Sequence, residues 1–166
     1  NPIEMEGTYP LPEAQRDRFM TRITMGYPSR DSELEMLERH GAHNPLDELY
    51  PVTHGERITE LIDVVGSVYV ADVVKDYLVN IVAATRSHDA VRLGASPRAS
   101  LHLIRTARAK AALAGRDYVI PDDVQAMAIP VLAHRLLPST RAQLDGISPV
   151  DIVSQILTST PVPEQA

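Results

Sequence analysis

The chain has 166 residues, 44% of them hydrophobic and 23% charged, with a formal net charge of −6 and no cysteine or tryptophan. That composition is typical of a soluble globular protein and excludes disulfides, thiolate metal sites and cysteine nucleophiles. The acidic balance argues against general nucleic-acid binding, and no apolar run approaches the roughly 20 residues that a membrane-spanning helix needs.

The first 13 residues are rich in proline and irregular. Phe19-Met20-Thr21-Arg22-Ile23-Thr24-Met25 alternates with period two and predicts a strand, closed by Gly26, Pro28 and Ser29. A single strand needs sheet partners that the rest of the chain does not offer. From residue 30 onward the pattern is helical. Ser32 and Glu35 have capping-box spacing ahead of a first helix that Gly41 would close. Ile58, Leu61, Ile62 and Val65 mark a second helix, and Val70, Val73, Val74, Tyr77, Leu78, Ile81 and Val82 a third. A fourth should start near Pro97 with Leu101, Ile104, Ala107 and Ala111 inward, and end at Gly115. A fifth starts at Pro121, with Asp122 and Asp123 at its positive end, and Pro130 predicts a kink or break in it. Ser148-Pro149-Val150-Asp151 opens a last short helix. The expected fold class is mainly α: a helical bundle with a short residual strand/helix segment from an α/β core.

Three features could carry chemistry. Arg16-Asp17-Arg18-Phe19 places two guanidinium groups at an element end, where planar recognition of phosphate or carboxylate is at home, although a solvated end would look the same. Gly94-Ala95-Ser96-Pro97-Arg98 puts Ser96 at a cap, Pro97 first in a helix and Arg98 in its first turn. The free N–H groups there attract anions, while an arginine at that end opposes the helix dipole; an ordinary capped helix is the competing reading. Asn1-Pro2 could aim a side-chain amide at a water or a phosphate oxygen, but it is also a common turn. The six histidines are scattered without metal-ligand spacing, so no metal site is predicted. Neither a nucleophile elbow nor a G-x-x-x-x-G-K-[ST] loop occurs.

These pieces resemble one family in order. "NPIEMEGTYPLPEAQRDRF" resembles the segment of MoxR-type AAA+ ATPases from sensor 1 to the arginine finger. "GASPRAS" is similar to that family's sensor 2, and "YVIPDDVQAMAIPVLAHRL" to the lid helix that follows. The resemblance covers about residues 1 to 140. It implies that Asn1 is the sensor 1 asparagine, which helps position the attacking water. It implies that Arg18 is the arginine finger, acting in trans on a neighbour's ATP, and that Arg98 is sensor 2. Arg16 stands where an aliphatic residue is usual and competes for the finger role, although the Asp-Arg-Phe register favours Arg18. Ile120 stands where a capping Ser or Thr is usual.

The resemblance further implies a hexameric ring that hydrolyses ATP with Mg²⁺ in the cytoplasm. Such rings act as chaperones that help mature partner proteins, among them von Willebrand A-domain proteins. No Walker A or Walker B motif occurs, so the chain reads as the C-terminal part of a longer ATPase, inactive alone and with no ATP or Mg²⁺ of its own. On this reading residues 1–30 are the remnant of the α/β core, 31–52 a linker helix and loop, 53–158 the helical lid and 159–166 a disordered tail. The competing expectation is a non-catalytic helical interaction or regulatory module.

Overall fold

A computed structural model describes residues 11–39 and 45–163. These fall into two compact units, residues 11–22 with 64–163 and residues 23–63. In chain order the elements are α1 (Glu13–Arg16), α2 (Arg30–Arg39), a 3₁₀ turn (Pro45–Glu48), α3 (Gly55–Ser67), α4 (Asp72–Ser87) and β1 (Val91–Leu93). They continue with α5 (Pro97–Leu113), α6 (Pro121–Leu132), a 3₁₀ turn (Ala133–Arg135), β2 (Leu137–Pro138), α7 (Thr140–Leu144) and α8 (Pro149–Ser159). The chain is mainly α, as its periodicity predicts. β1 and β2 form a small antiparallel pair, with Val91 opposite Pro138, Leu93 opposite Leu137 and an irregularity between.

The core belongs to the larger unit. Val74, Tyr77, Leu78, Ile81 and Val82 of α4 meet Leu103 of α5, Val124, Val131 and Leu132 of α6, and Ile152, Val153 and Ile156 of α8. Ala99, Ala107 and Ala111 of α5 and Ala128 of α6 are fully buried. Such small side chains let two helix backbones approach closely, and α5 packs chiefly against α6. The phase of α5 differs from expectation. Leu101 is exposed, while His102 and Leu103 turn inward. A buried histidine breaks the apolar pattern from which the face was inferred.

Helix starts also differ in detail. Ser29, not Ser32, caps α2: its hydroxyl accepts the Ser32 N–H at 3.2 Å. Gly41, expected to close that helix, lies outside the described residues. Ile120 has no side-chain acceptor, yet α6 is secured at its start. The Asp123 carboxylate accepts the Ile120 N–H at 3.0 Å and both arms of Arg116, at 2.7 and 2.6 Å. Pro130 does not break α6, which runs on to Leu132 before tightening into the 3₁₀ turn. α8 opens where expected and starts with a capping box, the Ser148 hydroxyl accepting the Asp151 N–H and the Asp151 carboxylate accepting the Ser148 N–H. Thr160, in the expected tail, donates its hydroxyl hydrogen to the Ile156 carbonyl at 2.8 Å.

In the smaller unit, α2 lies wholly within it and carries an amphipathic pattern without burial: none of its side chains is buried. The stripe Ile58, Leu61 and Ile62 predicted on α3 is helical, as expected, and exposed.

The expected strand at Phe19–Met25 is not formed. Among the described residues β1 and β2 are the named strands, and residues 21–29 are irregular. The reason is the fate of its backbone groups. The Arg22 N–H donates to the Pro130 carbonyl at 2.9 Å, and nearby carbonyls are taken by a side chain rather than a sheet ladder. The predicted residual segment survives as the single-turn helix α1.

Burial raises the Asp123 carboxyl pKa, but the Arg116 hydrogen bonds and charge and the Ile120 N–H outweigh it and hold the group below the usual carboxylate range. A folded pKa below the unfolded one adds stability that is present above about pH 3.9 and is lost as pH falls below it. Asp123→Ala, which strips a buried carboxylate from Arg116, should cost about 3 kcal/mol in urea unfolding at pH 7, with the mutant and wild-type curves converging towards pH 3.

Candidate functional site: an arginine cluster on one acidic residue

Of the two described candidates from the sequence, Arg98 faces Asp17, and Arg18 follows Asp17 in the chain with its side chain exposed. Asn1 lies outside the described residues. Arg98 is in the first turn of α5, and the loop before that helix is tightly built. A Cβ on Gly94 would come within 2.6 Å of the Thr85 carbonyl oxygen and 2.7 Å of the Arg86 Cα, so the close approach requires glycine. The Thr85 hydroxyl accepts the Ala95 N–H at 3.0 Å, and Arg86 Nε donates to the Ala95 carbonyl at 2.8 Å. This fixes the start of α5 against the end of α4.

Ser96 has the backbone conformation of an N-cap, but its side chain does not cap. Its hydroxyl donates instead to the Asp17 carboxylate, with oxygens at 2.9 and 3.0 Å. The carboxylate therefore lies at the positive end of α5, where the helix dipole favours it. Arg98 Nη1 faces it at 3.6 Å, with 46% of the arginine side chain still exposed. Asp17 thereby offsets the cost of an arginine at a helix N-terminus. A pair this long and this exposed is worth well under about 1 kcal/mol, so Arg98 can leave Asp17 for a stronger anion at little cost.

Arg135 is the residue that sequence reasoning missed. Its side chain is 1% exposed, and Nε donates to Asp17 Oδ1 at 3.2 Å. Nη2 donates to the carbonyls of Asp17, at 3.2 Å, and of Phe19, and Nη1 donates to that of Met20 at 3.4 Å. The guanidinium also donates to the Val131 carbonyl, to His134 Nε2 at 2.9 Å and to His102 Nδ1. Arginine has donors only, so His102 Nδ1 must present its lone pair. His134 Nε2 lies 2.9 Å from Nη1 and 3.2 Å from the Phe19 carbonyl, and its tautomer decides which of the two it serves. Burial lowers both histidine pKa values. The Arg135 charge lowers them further, with Arg105 and Arg98 adding at His102 and Arg22 at His134; Asp17 opposes at His102. Burial also lowers the Arg135 pKa, against the pull of Asp17. The signal was present: "AHRL" closes the α6 stripe with two polar residues that then prove buried.

Arg18 follows α1 and is exposed, between the two carbonyls that Arg135 Nη2 holds. Arg16, the competitor for its role, is half-buried, and its Nε has no hydrogen-bond partner. The exposed guanidinium groups and the start of α5 form a donor set that fits an oxyanion such as a phosphate group. Among the described residues, no three His, Asp or Glu side chains converge to hold a metal ion. No helix is long and apolar enough to cross a membrane.

Comparison with known proteins places this geometry. Residues 83–156 match the AAA lid domain family. YeaC of Bacillus subtilis, an uncharacterized protein, is 46% identical over 99% of this chain and 52% of its own length. Chaperone MoxR1 of Mycobacterium tuberculosis is 40% identical over 99% of this chain and 45% of its own. A crystal structure of a candidate ATPase from Cytophaga hutchinsonii superposes with a TM-score of 0.90 at 34% identity, over 99% of this chain and 52% of that one. The chain spans about half the length of the curated relatives it matches.

Two predictions follow from the site. Gly94→Ala should cost about 2 kcal/mol in chemical denaturation, because the added methyl meets backbone atoms of Thr85 and Arg86 rather than a movable side chain. The folded pKa values of His102 and His134 lie below the ordinary 6.5, so the unfolded chain binds protons first. Stability should therefore fall as pH drops below about 6.5. Urea midpoints should be lower at pH 5.5 than at pH 7.5, and His102→Gln should flatten that difference.

Proposed function

Since the chain belongs to the MoxR-type AAA+ ATPases, we propose that it supplies the lid and the interface arginine of a ring ATPase. The observation that supports this reading best is an exposed arginine at a helix start, Arg98, held weakly by Asp17, with a second exposed arginine, Arg18, next to Asp17 in the chain. Arg98 serves as sensor 2 and meets the terminal phosphate of its own subunit's ATP. Arg18 serves as the finger and meets the ATP of the neighbouring subunit. Asn1 serves as the sensor 1 asparagine.

When bound, ATP supplies the phosphoryl group whose transfer to water the ring couples to work. Catalysis of that transfer is mostly positioning and charge stabilisation, which suits fixed guanidinium groups. Arg98 can exchange Asp17 for phosphate oxygens because its present pair is long and wet. Asp17 does not lose its partners when that happens, since Ser96 and Arg135 still donate to it. Mg²⁺ would need ligands from outside the described residues, so no step here runs through it.

On this reading residues 1–30 belong to the α/β core, 31–52 link it to the lid, and 53–158 form the lid. The ring is a cytoplasmic hexamer that acts as a chaperone in the maturation of partner proteins, von Willebrand A-domain proteins among them. The name of the Mycobacterium tuberculosis relative supports the chaperone role.

The test is made in the intact ATPase. Arg18→Ala should lower turnover by about 10³-fold or more while nucleotide still binds, the range seen when a finger arginine is removed. Arg98→Ala should also cripple turnover. Steady-state hydrolysis alongside equilibrium binding of a fluorescent ATP analogue separates the two effects. Unchanged turnover in both variants would remove this assignment.

A further inference from the structure

Arg135 does more than neutralise Asp17. Its Nη2 takes the carbonyl before Arg18 and the carbonyl after it, and Nη1 takes the next one, at Met20. These bonds fix the Asp17–Arg18 peptide plane and the Phe19–Met20 plane one residue beyond Arg18, while the Arg18 side chain stays in solvent. The Arg22 N–H, bonded to the Pro130 carbonyl, extends the attachment by two residues. Every anchor in this set comes from the end of α6 and the turn after it. The same compact unit carries Arg98, joined to the segment through Asp17 and Ser96.

Resting on the proposed roles of Arg18 and Arg98, we propose that Arg135 is a positioning residue for Arg18, so that the bundle carrying Arg98 also aims the arginine that serves the neighbouring subunit. A phosphate that draws on Arg98 then displaces, through one rigid body, the guanidinium offered to the next nucleotide. The fork geometry is essential to this role. Three carbonyls spread over the turn after α1 and the residues that follow need donors fixed in a plane, which an ammonium on a flexible stem does not provide. The imidazoles of His102 and His134 hold the remaining edges of the same plane.

The experiment compares Arg135→Met and Arg135→Lys with Arg18→Ala in the intact ATPase. Arg135→Lys keeps the positive charge beside Asp17 and guards against a variant that simply fails to fold. Both Arg135 variants should lose about 10²-fold in kcat, the scale of an ångström-level misplacement of a catalytic group, with KM little changed. Cooperativity in ATP should flatten towards a Hill coefficient of one. Limited trypsinolysis of the present chain gives a readout that does not depend on activity: cleavage after Arg18 should accelerate at least tenfold in both variants, while Arg105 and Arg108 within α5 stay protected.

Native kcat in Arg135→Lys, with Arg18→Ala inactive, would overturn the positioning role and leave the finger assignment standing. Unchanged cleavage after Arg18 in both variants would overturn it as well. If Arg18→Ala itself turns over normally, the finger assignment fails, whatever Arg135 does.

Discussion

The guanidinium of Arg135 is almost completely enclosed, and a buried charge without partners would cost several kcal/mol after all relaxation. The fold meets that cost by bringing acceptors from three places: the Asp17 carboxylate, the carbonyls of residues 17, 19 and 20, and the lone pair of His102. Each acceptor has its own constraint. The carboxylate must reach the start of α5, the carbonyls must line the turn after α1 and the residues that follow, and His102 must present a lone pair. The path of residues 17–22, the identity of the residue before Arg18, and the buried face of α5 all follow from satisfying one side chain.

This also explains why the segment after α1 is not a strand. Its alternating apolar residues mimic a strand, but a ladder must supply every backbone group with a partner of its own kind. Here one planar donor from a neighbouring helix end takes the carbonyls instead, and Phe19, Ile23 and Met25 remain exposed. The period-two pattern was real, yet hydrophobic spacing records side-chain faces and not the partner of the backbone.

Much of the helical bundle was legible from residue types. The Pro97 and Pro121 starts, the end of α5 near Gly115 and the opening of α8 at Ser148-Pro149 are local signals read within a few residues. The resemblance of "GASPRAS" and "RDRF" to a known family pointed to Arg98 and Arg18. The approach of Asp17 to the start of α5 was not legible, because the contact joins residues about eighty positions apart. Arg135 was hidden for a different reason. A buried arginine looks in sequence like the polar end of an apolar stripe, and only its acceptors, more than a hundred residues earlier in the chain, reveal it. The relevant carbonyls leave no mark in residue identity at all.

The strengths of the contacts assign them different tasks. Arg98 holds Asp17 loosely and in solvent, which suits a group that must exchange partners. Arg135 holds the same carboxylate from the interior, which suits a fixed support. A sensor and a support that share one acid form a short path between two proposed nucleotide sites, with no need for a chain of intermediates. The most direct measurement of that path is a distance. Spin labels at Gln15→Cys and Leu113→Cys, both exposed positions, with any cysteine elsewhere in the intact protein replaced, report on α1 and the far end of α5. The account predicts that this distance stays narrow and unchanged when ATP binds to the intact ring, and broadens when Arg135→Met is added. A distance that shifts with nucleotide in the native protein would contradict it, because Arg18 and Arg98 would then belong to bodies that move apart.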